Sequence, residues 1–302
     1  MQTKEMIQQK MKEAVDRVRE ENPLAGSITN TVTINLVANA QLAVGGSAAM
    51  VYLPDEGECL AAAGSALYIN VGTLLPVYEE TLPRTARALH AQGRSWVLDP
   101  VGIGIGSLRT KLLQGFRDEK PTIIRGNASE IIALANLWQL ESGQAADGVR
   151  GVDATDSVDA ARRAAVSLAR WTGGAVAVSG EHDLITDGQC TAFSYGGSHF
   201  MEKITGAGCS LGGVAAVYAT AASPFIAALT ASAIYNLAGK RAEARCSGPG
   251  SFQVEFAVKP SMADEIGPAS ATPTRRSHRS NSRATRSWQS KRPFQVPRPP
   301  DH

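Results

Sequence analysis

Several absences narrow the sequence first. Its four cysteines, Cys59, Cys190, Cys209 and Cys246, are scattered along 302 residues and form no CxxC pair. That excludes a disulfide framework and a zinc site of the usual spacing, and it fits a reducing, cytoplasmic setting. No uninterrupted apolar run reaches the roughly 18 residues that a membrane span needs. Two stretches, Leu24 to Pro54 and Ile204 to Gly239, carry no charge. Both are rich in Gly, Ala, Ser, Thr and Asn rather than Leu and Ile, and Ser223-Pro224 breaks the second, so neither is read as a membrane helix. The opening segment MQTKEMIQQKMKEAVDRVREEN is charged throughout and has no apolar core of the signal-peptide kind. There is no internal repeat. Positive charge is concentrated in residues 261–302, where eight Lys/Arg face three acids, leaving the first 260 residues at −3 within a net charge of +2. A basic nucleic-acid-binding domain is therefore not expected.

With 43% hydrophobic and 19% charged residues, the chain can bury a large core. Residues 4–21 set Met6, Ile7, Met11, Ala14, Val15 and Val18 at helical spacing between charges, which predicts an amphipathic helix ended by Pro23. Short apolar runs then alternate with longer helical patterns. Residues 48–52, 66–71, 96–98, 122–124 and 175–178 read as buried strands, and 31–44, 56–63, 76–92, 108–117, 128–136 and 155–172 as helices. This rhythm predicts an α/β fold: a doubly wound, mainly parallel sheet with helices on both faces. Residues 1–260 form one domain in this reading. Residues 261–302, biased to Ser, Arg and Pro without apolar periodicity, read as a disordered tail.

In such folds ligands gather at the carboxyl ends of the strands. One strand runs into Arg125-Gly126-Asn127-Ala128-Ser129-Glu130. Asn127 suits an N-cap and Glu130 the acid of a capping box; equally, Glu130 suits a Mg²⁺ ligand and Arg125 a neutraliser of phosphate charge. Asp99, in LDPVGIG, suits either a carboxylate aimed into a cleft or the close of a strand-to-loop turn. The segment ITGAGC, residues 204–209, opens a long uncharged helix, and its glycines and the helix dipole suit an anion. Thr186-Asp187-Gly188 predicts a tight hairpin after Ser179-Gly180-Glu181-His182-Asp183, with His182 a surface turn residue. Ser247-Gly248-Pro249-Gly250-Ser251-Phe252 reads as a rigid loop that approaches a nucleotide base or merely turns the chain.

In order, SITNTVTINLVANAQLAVGGSAAM, INVGTL, LDPVGIG, IIRGNASEI, SGEHDLITDG, ITGAGCSLGGV and GPGSF resemble the hydroxyethylthiazole kinase family, over roughly residues 23–256. The resemblance implies a ribokinase-like fold and transfer of phosphate from ATP, with Mg²⁺, to the hydroxyl of 4-methyl-5-(2-hydroxyethyl)thiazole. It also implies a homotrimer with sites at the subunit boundaries. Carried over by motif, Met50 and Gly206 contact the thiazole, Asn30 lies in the segment lining its pocket, Arg125 and Ser179 bind ATP, and Asp99 and Glu130 are the acids around the metal. Cys209 stands where the wider superfamily usually has a catalytic Asp. A thiol with a reference pKa of about 8.5 is a poor base for an alcohol, so Cys209 is assigned to positioning the hydroxyl, with base catalysis the lesser role.

Two competing readings use the same fold. A nucleotide-dependent dehydratase that repairs hydrated nicotinamide cofactors resembles the Asp-containing type, against which Cys209, Asn30 and Met50 count. A pseudo-enzyme that binds without turnover is suggested by the terminus: after GPGSFQVEF the family continues into a closing helix, whereas this chain turns to AVKP and the basic tail. Asp99, Arg125 and Glu130 together favour activity.

Overall fold

The structure, a computed structural model, describes residues 3–143 and 157–256 and the backbone of 270–273. The opening helix α1 (Lys4–Glu21) starts where the Thr3 hydroxyl accepts from the Met6 N–H, and it buries Ile7, Met11, Ala14, Val15 and Val18. Strands and helices then alternate: β1 (Leu24–Ile28), α2 (Ile34–Ala43), β2 (Ser47–Met50), α3 (Pro54–Ala63), β3 (Ala66–Asn70), α4 (Tyr78–Ala91), β4 (Ser95–Asp99), α5 (Ser107–Glu119), β5 (Ile123–Asn127) and α6 (Ala128–Leu137). Beyond residue 157 come α7 (Arg162–Thr172), β6 (Ala175–Ser179), β7 (Asp183–Thr186) and β8 (Cys190–Ser194). A short 3₁₀ helix (His199–Lys203) precedes α8 (Ala207–Ala219), α9 (Pro224–Glu243) and α10 (Pro249–Glu255), and β9 (Ser270–Pro273) ends the described chain.

The strands form one sheet in the order β2-β1-β3-β4-β5-β6-β7-β8-β9. Pairings from β2 to β6 are parallel, and those from β6 to β9 antiparallel. Side chains alternate across the pleat. Tyr68, Val97, Ile123 and Ala177 therefore enter the core shared with α1, α2, α8 and α9, while Leu67, Ile69, Leu98, Ile124 and Val178 enter the opposite core beneath α3 to α7. Covering both faces with helices makes the sheet doubly wound, as the sequence predicts.

The details depart from expectation in five places. β1, with the sequence LAGSI, has no run of β-branched residues and was not among the five expected strands, yet four of its five residues are buried. β2 was expected to be buried, but it lies at the sheet edge and all four of its residues are only half-buried. The segment expected as a rigid loop at 247–252 instead starts α10, with Gly248 as N-cap, Pro249 in the first turn and Phe252 buried. The helix expected over 155–172 begins at Arg162, and residues 155 and 156 lie outside the described residues. Within the expected tail, β9 pairs with β8, Cys190 opposite Pro273, and the rest of 261–302 lies outside the described residues. Among the described residues no helix is long and apolar enough to cross a membrane.

Candidate active site

The carboxyl ends of β3, β4, β5 and β6 come together through the register Asn70 opposite Asp99 and Asn127 opposite Ser179. Asp99, the last residue of β4, is fully buried. Its Oδ2 accepts from the Tyr68 hydroxyl at 2.8 Å, from Asn70 Nδ2 at 3.1 Å and from Arg125 Nη1 at 3.3 Å. Arg125 lies within β5, not after it, and its Nη2 donates to Ser179 Oγ at 3.2 Å. Its buried Nε has no partner among the described residues.

Burial works against the Arg125 charge, but the adjacent Asp99 and Glu130 carboxylates outweigh it and hold the guanidinium firmly protonated. Burial pushes the Asp99 carboxyl up, opposed by Arg125, Tyr68 and Asn70. Glu130 is pushed up to about 7, first by burial and then by Asp99, against Arg125 and the Asn127 and Gly102 N–H groups.

The two readings of Glu130 prove compatible. Asn127 caps α6 by accepting from the Glu130 N–H at 2.9 Å, while Glu130 Oε2 accepts from the Asn127 N–H at 2.8 Å. Its other oxygen accepts only a long bond from the Gly102 N–H at 3.4 Å. The carboxylate is thus oriented by its cap and keeps one oxygen weakly engaged.

Across from Arg125, α8 starts at Gly206, whose φ of +94° is in the left-handed region. A Cβ there would lie 2.8 Å from Thr33 Cγ2. Cys209, in the first turn, accepts from Asn30 Nδ2 at 3.4 Å. Burial and then Asp99 push its thiol up, so it is neutral near pH 7. α8 is buried on nearly every side. A cleft of about 570 Å³ opens on the Arg125 side, lined among others by Arg125, Ser179, Gly180, Asp183 and Gly208. A second groove of about 630 Å³ opens beside Thr33, lined also by Val32, Leu36, Thr205 and Val254.

The structure therefore brings together Asp99, Arg125, Glu130 and Ser179 on one side and Asn30, Gly206 and Cys209 on the other. Met50 is half-buried at the end of β2, opposite Ser27 of β1, and packs against the core shared with α8 and α9. Tyr68 and Asn70 were not singled out, although Asn70 sits inside the quoted INVGTL motif. Asp183 was read only as part of a hairpin. It is buried, accepts from Asn236 Nδ2 at 3.0 Å, and burial pushes it up to about 6. His182 is indeed a turn residue, with its ring against Phe193 and Tyr195. The GPGSF segment does not line the Arg125 cleft; it turns the chain into α10.

The sheet order places β1 at a switch point, with the site at the strand ends. A ribokinase-like superfamily protein from Enterococcus faecalis V583 shares the fold at a TM-score of 0.56 and 12% identity, covering 88% of this chain and 95% of that one. More narrowly, the chain belongs to the hydroxyethylthiazole kinase family, whose profile matches residues 15–262, and is a phosphotransferase. The hydroxyethylthiazole kinase of Bifidobacterium adolescentis is 55% identical over 254 residues, covering 81% of this chain and 86% of that protein. That of Bifidobacterium animalis subsp. lactis is 52% identical over 260 residues, covering 83% and 86%. A solved structure of the hydroxyethylthiazole kinase protein from Pyrococcus horikoshii OT3 matches at a TM-score of 0.74 and 28% identity, covering 88% of this chain and 99% of that one. The dehydratase reading falls with this match.

Proposed function

We propose that the protein transfers the γ-phosphoryl group of ATP to the side-chain hydroxyl of 4-methyl-5-(2-hydroxyethyl)thiazole, giving the thiazole phosphate for thiamine assembly. The observation that carries this reading is Arg125: a buried, charged guanidinium braced by Asp99 on the wall of a cleft, with its Nε lacking a partner among the described residues. Such an orphan donor costs free energy unless a ligand satisfies it, and a nucleotide phosphate does so with a charge-assisted bond. Ser179 lies beside it, and the first turn of α8 adds backbone N–H groups and partial positive charge.

The donor set fits Mg²⁺. This ion takes oxygen ligands, one or two carboxylates together with phosphates and water, and the described residues hold no cluster of three acids, histidines or cysteines that would make a closed cage. Glu130, with its weakly engaged oxygen, would hold the ion directly or through water. Asp99, already bonded to Tyr68, Asn70 and Arg125, would add its negative charge to that site. When bound, the metal supplies neutralisation of phosphate charge.

On the other side, Cys209, Asn30 and Gly206 face the alcohol, with Met50 completing the thiazole contacts. The hydroxyl oxygen attacks the γ-phosphorus, the bond to the β-phosphate oxygen breaks, ADP leaves, and the hydroxyl proton passes to the phosphoryl oxygens or solvent. Cys209, a neutral thiol, holds the hydroxyl in line; phosphoryl transfer relies chiefly on such positioning and on charge. In this reading the protein is cytoplasmic and assembles as a homotrimer, which would cover exposed apolar side chains such as Val32, Leu42 and Val254.

The test is an assay of the full chain with Mg-ATP and the thiazole alcohol. Thiazole phosphate and ADP in equal amounts are expected. Binding of both compounds without turnover would instead favour the pseudo-enzyme, and binding of neither would remove the reading.

A further inference from the structure

The INVGTL motif has no place in the assignments above, yet its Asn70 is fully buried and uses its whole carboxamide. Asn70 Oδ1 accepts from the Gly72 N–H at 2.8 Å and from Asn30 Nδ2 at 3.0 Å. Asn70 Nδ2 donates to Asp99 Oδ2 at 3.1 Å and to the Tyr68 hydroxyl oxygen at 2.8 Å. A backbone N–H can only donate and a carboxylate can only accept, so Gly72 and Asp99 between them fix which end of the amide is oxygen. The same logic carries one residue further. The Thr33 N–H donates to Asn30 Oδ1 at 3.1 Å, which turns the Asn30 NH₂ toward its two remaining acceptors, Asn70 Oδ1 and Cys209 Sγ. A continuous hydrogen-bonded chain thus links Arg125 through Asp99, Asn70 and Asn30 to Cys209.

We infer that Asn70 is a positioning residue that ties the two halves of the site together: it holds Asn30 with its NH₂ on Cys209 and so fixes the side from which the thiol accepts. The inference rests on Cys209 being the group that positions the hydroxyl. Asn70 touches no substrate; it acts through Asn30 on one side and Asp99 on the other. A side chain that filled the same space without the carboxamide would leave Asn30 held from the Thr33 side alone and Asp99 one donor short.

The test is a double-mutant cycle read at the thiol. Site-resolved alkylation by iodoacetamide in the full chain compares Cys209 with exposed Cys59 as internal reference. The Asn30 NH₂ stabilises the thiolate, so removing it slows alkylation. Asn70→Ala is expected to slow Cys209 by about threefold or more relative to Cys59. Asn30→Ala should do the same, and the double variant should be no slower than Asn30→Ala. Where Asn70→Ala fails to fold, Asn70→Ser, whose hydroxyl is too short to reach Asn30, is judged by the same criteria. Kinetics give the second readout: kcat is expected to fall modestly, by no more than in Cys209→Ala, with KM for ATP changed less than about threefold. Normal Cys209 reactivity in the Asn70 variant, additive slowing in the double variant, or a loss confined to KM would each overturn the inference. The alkylation cycle needs no turnover, so a wild-type protein inactive on the thiazole alcohol would defeat the proposed function and leave this question decidable.

Discussion

Gly208 lies against the guanidinium of Arg125: a Cβ built on it would stand 2.8 Å from Nη2 and 2.9 Å from Nη1. The first turn of α8 and Arg125 are therefore fitted to each other at the level of a single methyl group. Gly208→Ala would gain about 1 kcal/mol of helix propensity, but it must displace an arginine held between Asp99 and Ser179. We expect Tm close to wild type and KM for ATP raised about tenfold, an effect of about 1.4 kcal/mol. Unchanged ATP kinetics would show that Arg125 can yield without cost.

Arg125→Ala should weaken ATP binding by about 1.5–3 kcal/mol, the worth of a charge-assisted bond. It also leaves Asp99 buried without its cation, a loss of about 3–5 kcal/mol in stability when one partner of a buried pair is removed. Calorimetry with each substrate checks this. Lost thiazole affinity with intact nucleotide affinity would refute the assignment.

Replacing the thiol separates base from positioner. Cys209→Ala is expected to lower kcat modestly, because the backbone N–H groups from Gly206 to Gly208 remain. Cys209→Asp should preserve or raise kcat, since positioned acid–base groups contribute about 10²–10⁴ in rate and a weak base leaves room for gain. Complete inactivity of the alanine variant would make Cys209 an essential base or nucleophile.

Asp183 gives a pH-dependent prediction. Its carboxyl titrates near 6 in the folded protein against 3.8 as reference, raised by burial and opposed by Asn236 and Arg125. Between those values the folded state binds more protons than the unfolded, so this group makes stability fall as pH rises, at a cost reaching about 3 kcal/mol above pH 6. Asp183→Asn should remove that slope. Denaturant melts of both proteins at pH 4 and pH 8 should show the variant gaining relative to wild type at pH 8; equal differences at both pH values would show that Asp183 is not buried as an acid.

How far the sequence is legible follows from how local each signal is. The Asn127–Glu130 cap could be read because both partners sit within four residues of one helix start. The turn between β7 and β8 was equally local, with Gly188 at a φ of +85°. By contrast, Tyr68 and Asn70 meet Asp99 only because β3 and β4 pair with Asn70 opposite Asp99, a register that no short window encodes. Asp183 needed α9, more than 40 residues away, to supply Asn236. β1 escaped notice for a related reason. Its Ala, Gly and Ser suit a strand only because close neighbours such as Leu60, whose Cδ1 lies 2.7 Å from a Cβ built on Gly26, need the room.

The burial of α8 bears on ionic strength. A helix exposed on one side has its dipole weakened by water along that flank, whereas α8 lies in protein along almost its whole length and opens to the cleft at its first turn. The field it presents there passes through a medium of low polarisability and is felt at a distance far shorter than the roughly 8–10 Å over which physiological salt screens charge. Added salt would screen the forces between a nucleotide and the exposed surface charges, and so slow or hasten its arrival, while leaving the hold of the helix end on a phosphate seated there, as the proposed function has it, largely as it was.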